Sequence, residues 1–171
     1  MKKIKRDRIA ENIAEYDSLS DQERGQFIAR VLEDQPYLMG FVTNLADDFS
    51  EKEHEALVDS VLILINAFIA TGIPVDTIPD ALIQEVLKEK IDAYEAMADK
   101  GAVKAHAVSE LADSPLTFED LRQRALTKSD LAQESAVAQY NFMLVLDALI
   151  TIVERSLLAR GRADKDQNDH P

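Results

Sequence analysis

Three carboxylates on one predicted helix offer the plainest chemistry in this chain. Glu85, Glu89 and Asp92 follow one another at intervals of four and three, which puts them on a single helical face. Carboxylates spaced this way can hold Mg²⁺, a hard cation that takes oxygen ligands. Lys88 and Lys90 beside them would attract phosphate or pair with their neighbours. A second set of carboxylates, Glu51, Glu55 and Asp59, repeats at intervals of four. His54 stands three residues after Glu51, and Glu-x-x-His is the helical spacing of carboxylate di-metal sites. Such a site needs a second pair. His106 has no Glu three residues before it, and His170 stands almost at the chain end. The plainer account of all these groups is an exposed charged face, and of Glu51 and His54 an acidic first turn.

Three short resemblances bear on function. Glu89-x-x-Asp92 is similar to the magnesium-holding spacing of all-helical nucleotide pyrophosphatases. That likeness implies a Mg²⁺-dependent nucleotide pyrophosphohydrolase with Glu85, Glu89, Asp92, Glu51 and Glu55 as ligands. Those enzymes also use a Glu-x-x-Glu pair on an adjacent helix, and here the nearest substitute has the wrong interval. Asp47-Asp48-x-x-Glu51 resembles the aspartate-rich motif of helical isoprenoid synthases, but it crosses a predicted helix break and has no second copy. Lys128-Ser129-Asp130-Leu131-Ala132-Gln133-Glu134-Ser135-Ala136-Val137 resembles the first half of a helix-turn-helix, with Ala136 in place of the turn glycine. The following Ala138-Gln139-Tyr140-Asn141 has no Arg or Lys to meet phosphate or guanine, which disfavours DNA binding.

Composition sets the frame for these motifs. The 171 residues carry a formal net charge of −13, a field that repels nucleic acid and anionic membranes. There is no Cys, so disulfides, thiolate zinc sites and thiol catalysis are excluded, and a reducing compartment suits the chain. The basic start, Met1 to Arg6, runs into Asp7 and Arg8 and not into an apolar stretch, unlike a signal peptide. The apolar runs at 57–71 and 142–153 are shorter than the roughly 20 residues of a membrane span. Asp59, Asn66 and Asp147 interrupt them. The expected location is the cytoplasm.

The elements that would position these groups are helices. Ser50 with Glu53 forms a capping box at the start of a helix over 50–72. Leu57, Val61, Leu64 and Phe68 make one apolar face of it, and Val58, Leu62, Ile65 and Ile69 an adjoining one. A helix so widely apolar must be surrounded by others. Ser20 and Glu23 form a second capping box, and Pro36 suits the first turn of another helix. Phe49 can staple back onto the helix that follows it. Further helices are predicted at 6–16, from Thr77 and Pro79 to about 100, at 102–113, and from Thr117 to about 126. A long last helix should start between 128 and 131 and stop at Gly161. The pattern predicts one all-α domain over 1–161, a compact irregular or orthogonal bundle of seven to eight helices. Two long apolar helices, about 51–71 and 129–160, should pack together at its centre. Residues 162–171 read as a flexible polar tail.

The functional expectation is a non-enzymatic cytoplasmic interaction or regulatory module that needs no cofactor. Mg²⁺ enters only with the nucleotide pyrophosphohydrolase alternative, and a helix-turn-helix regulator is the second alternative. A protein partner or homodimerisation is expected, because 61–69 and 142–153 offer more apolar surface than one copy is expected to bury. Asp59, Asn66 and Asp147 form polar breaks in the two core helices. They should face solvent, a partner, or one another.

Overall fold

The computed structural model describes residues 6–70, 75–99 and 118–168. Among these, seven α-helices follow one another with no strand. They are α1 (Arg6–Ser18), α2 (Asp21–Asp34), α3 (Pro36–Asn44), α4 (Glu51–Ala70), α5 (Asp80–Asp99), α6 (Glu119–Lys128) and α7 (Ala136–Asn168). A 3₁₀ turn, Leu45–Asp47, follows α3. The all-α bundle is as the sequence predicts. The end of the helix predicted over 50–72, the helix predicted at 102–113 with His106, the predicted helix start at Thr117, and His170 lie outside the described residues.

The helix starts are built by local chemistry. At α2, Ser20 N–H donates to Glu23 Oε2 (2.8 Å) and Glu23 N–H to Ser20 Oγ (3.2 Å). At α4, Ser50 and Glu53 make the same reciprocal pair at 2.7 and 3.2 Å. Each box satisfies two backbone donors that a helix start leaves unpaired. Phe49 meets Phe142 of α7 edge-on, with ring centroids 6.5 Å apart, and so ties the start of α4 to the last helix. Thr77 does not cap α5. Its hydroxyl donates to Asp34 O (3.1 Å), while Pro79 O receives the first N–H groups of the helix.

α4 lies at the centre, packed against α1, α2, α3, α6 and α7. The two long helices do pack together, but α7 has its most extensive contact with α5. Leu57, Val61, Leu62, Ile63 and Leu64 are fully buried. Every apolar side chain from Phe142 to Val153 is buried as well. The surplus apolar surface expected at 61–69 and 142–153 is therefore taken up within one copy, and only Ile69 remains exposed there. The stretch Ala136–Ser156 is long and apolar enough to cross a membrane by length and composition, yet 61% of its apolar window is buried inside the fold.

The last helix differs from expectation at both ends. It runs through Gly161 to Asn168, so the predicted 162–171 tail is helical over its described part. A helical glycine costs only about 1 kcal/mol, and Arg160, Arg162 and Ala163 favour continuation. It begins at Ala136 because α6 ends in a Schellman turn. Leu131 N–H reaches back to Leu126 O (3.0 Å) and Asp130 N–H to Thr127 O (3.2 Å). Asp130 takes the left-handed conformation (φ 61°), and Leu131 buries itself beyond it. Ser135 then caps α7 by accepting from Ala138 N–H (3.3 Å). Residues 129–135 are thus a turn. The helix that the helix-turn-helix likeness expects there is not formed.

The left-handed position makes a specific demand. Asp130→Val places a β-branched side chain at positive φ and should lower stability by about 1–2 kcal/mol in urea unfolding. Asp130→Gly should destabilise less.

Candidate functional site

The most ordered chemistry in the fold is organised by α6. Arg122 and Arg124 are two residues apart, so they leave the helix about 200° apart and face opposite sides. Arg122 Nη2 donates to Asp147 Oδ1 of α7 at 3.3 Å. Arg124 Nη2 donates to Asp59 Oδ2 of α4 at 3.2 Å. Each aspartate also accepts from a buried tyrosine. Tyr16 OH donates to Asp59 Oδ1 at 2.6 Å, and Tyr94 OH to Asp147 Oδ2 at 3.3 Å. Two Tyr–Asp–Arg triads therefore flank one short helix, each inserting a carboxylate into an apolar core helix.

Their surroundings differ. On the first side, Arg124 also grips Asp17 of α1 with both Nε (3.2 Å) and Nη2 (2.5 Å). The bond from Arg124 holds the Asp17 carboxyl below its ordinary value. Burial opposes the charge of Arg124, but its bonds to Asp17 and Asp59 outweigh that and keep it protonated. Burial, then the bonded Asp59, push Tyr16 well above the usual phenol range, so it stays a donor. The guanidinium carbons of Arg24 and Arg124 lie 5.2 and 5.7 Å from the Tyr16 ring centroid, close enough for cation–π attraction. The triad opens on a cavity of about 390 Å³ between α1, α2, α4 and α6. Asp17, Arg24, Lys52, Glu55, Asp59, Arg124 and Lys128 contribute to its wall.

On the second side, Lys90 Nζ of α5 stands 3.7 Å from Asp147 Oδ2. Glu154, lower on α7, is half-buried. Burial pushes its carboxyl up, against the pull of Lys90 and Arg122. Tyr140 meets the Tyr94 ring edge-on at 5.4 Å and closes this cluster toward the start of α7.

The predicted metal ligands are not brought together. Glu85, Glu89 and Asp92 are exposed on α5, and Glu89 Oε2 accepts from Arg155 of α7 at 2.5 Å. Glu51 is exposed at the start of α4, while Glu55 faces the cavity beside Arg124. Among the described residues no three His, Asp or Glu side chains gather as metal ligands would. His54 points to α3, where its Nε2–H donates to Val42 O (2.9 Å). Asp47 and Asp48 are exposed.

The polar breaks Asp59, Asn66 and Asp147 are resolved by separate neighbours. Asn66 Nδ2 donates to Asn12 Oδ1 of α1 (2.8 Å), Asp59 meets α1 and α6, and Asp147 meets α5 and α6. Asp59 and Asp147 do not face each other across the core helices. Sequence reasoning passed over Arg122, Arg124, Tyr16 and Tyr94. The available signal was two Arg at an interval of two on a short polar helix, in a chain with two aspartates in its apolar runs.

The triads set stability. Asp59→Ala strands a charge that is 9% exposed, although Asp17 remains, and should cost about 3 kcal/mol in chemical unfolding. Asp59→Leu combined with Arg124→Met should recover much of that loss, because no unpaired charge is left. Glu154 gives a pH test. Its folded-state pKa is raised above the ordinary 4.5, so the folded state is penalised as pH rises through it. Glu154→Gln should therefore melt higher than the parent at pH 7, with the difference vanishing below about pH 4.5.

Comparison with protein-family models, curated proteins and solved structures returns no match for the chain.

Proposed function

We propose that this chain is a non-enzymatic cytoplasmic interaction module that associates with a second copy of itself through the α2–α3 corner. One observation carries the reading. Leu32 and Tyr37 stand 45% and 54% exposed on either side of Gln35, a residue only 1% exposed. Gln35 Nε2 donates to Asp76 O (2.9 Å), and Gln35 Oε1 accepts from Ile78 N–H (2.8 Å). The corner is thus clamped to the segment before α5, and its two apolar side chains are held out on a rigid mount. Pre-organised apolar side chains lose little freedom on binding, and tyrosine is among the residues that dominate contact energies. A two-fold contact would use the same patch on both copies.

Charge shapes how this contact behaves. Two chains of −13 repel, and salt screens that repulsion while leaving apolar contact intact. Sedimentation velocity across the micromolar range should show a dimer that strengthens from about 50 to 300 mM salt. Leu32→Ser with Tyr37→Ser should give monomer with an unchanged melting temperature. A monomer at every concentration and salt would remove the self-association reading. Turnover of any nucleoside triphosphate with Mg²⁺ would replace it with the hydrolase alternative.

A further inference from the structure

We infer that the cavity between α1, α2, α4 and α6 is a binding site for a small phosphate-bearing anion. The inference is independent of the α2–α3 corner and rests on different residues.

The first support is a local reversal of charge. The chain has 32 acidic and 19 basic residues, yet Arg24, Lys52, Arg124 and Lys128 converge on one wall against three carboxylates. Two of those carboxylates, Asp17 and Asp59, are already engaged by Arg124. Lys52 leans on Asp130 at 2.5 Å. Among the described residues Arg24 and Lys128 make no ion pair, and only Glu55 remains to oppose them. The cations left over outnumber the carboxylates left over.

The second support is unspent donor capacity. Arg124 has a side chain 9% exposed, and its Nη1 is buried with no hydrogen-bond partner. Arg24 Nε is likewise buried and unpartnered. Buried donors are normally satisfied, and these two orphans leave both guanidiniums of the cavity wall with donor capacity that no protein group uses. Stacking on Tyr16 holds both guanidiniums in place before any ligand arrives. Planar guanidiniums suit phosphate oxygens, and Lys128 adds a mobile point charge at the rim. A volume of about 390 Å³ admits a phosphate together with a small group attached to it.

The test is a titration of the intact, ¹⁵N-labelled chain with inorganic phosphate at constant ionic strength, followed by NMR. Saturable shifts confined to the Arg24 and Arg124 side-chain N–H signals and to backbone signals near 52–59 and 124–128 are expected. A parallel titration with a nucleoside monophosphate distinguishes the source. Tighter binding of the monoester assigns the site to a phosphorylated small molecule, and equal binding assigns it to free phosphate. Lys128→Ala, which removes an exposed side chain, should weaken phosphate binding several-fold. Arg24→Ala should weaken it about tenfold. Arg30→Ala, on α2 but outside this cavity, should leave it unchanged. Shifts that fail to saturate, that spread evenly over the chain, or that survive Arg24→Ala and Lys128→Ala undiminished would overturn the site.

Discussion

Two buried carboxylates govern this fold. Asp59 and Asp147 interrupt the two most apolar helices, and each would cost several kcal/mol if buried without a partner. The short helix α6 meets that demand twice, with Arg122 on one side and Arg124 on the other. Its place between α4 and α7 follows from charge as much as from apolar packing. A tyrosine from α1 and another from α5 complete each carboxylate, so four helices besides α6 are fixed through two side chains of the core. Buried polar networks of this kind raise the penalty for every alternative packing, because a shifted helix would strand a charge.

The two triads share a design but not an environment. Around Asp147 the neighbouring elements close over the pair, with Lys90, Tyr94 and Tyr140 drawing α5 onto α7. Around Asp59 they leave a cavity whose wall is rich in cations. The difference lies in the second acid. Asp17 takes up Nε and Nη2 of Arg124 toward the surface, while Arg24 lies against the Tyr16 ring and, among the described residues, forms no ion pair. An acidic protein has little reason to gather four cations at one opening for solubility alone, because dispersed charges serve that purpose as well.

The motifs that drew attention in the sequence stand apart from one another for different physical reasons. Glu85, Glu89 and Asp92 do share a helical face, but it is the face that α5 turns to water and to Arg155. Glu51 and His54 share a face too, yet His54 Nε2 is spent on Val42 O. Spacing along one helix fixes which side chains are neighbours. It leaves open what stands opposite, and a metal site is made by what stands opposite. The helix expected from about 128 is interrupted at one residue: Asp130 adopts positive φ and turns the chain there. Asp is one of the few residues that tolerate that conformation, so the turn was readable but competed with a run of good helix formers.

The amino-acid sequence by itself determined the class of the fold, the capping boxes at Ser20 and Ser50, the proline start of α3 and the burial of α4 over most of its circumference. These depend on contacts within a few residues or on the apolar width of one helix, and both are written locally. Only the tertiary structure decided which arginine answers which aspartate, that the polar breaks of α4 and α7 look toward different neighbours, and that a cation-lined cavity opens beside Tyr16. The partners in those pairs stand 25 to 65 residues apart. Their meeting is set by helix packing angles and the length of connections, which no local pattern encodes.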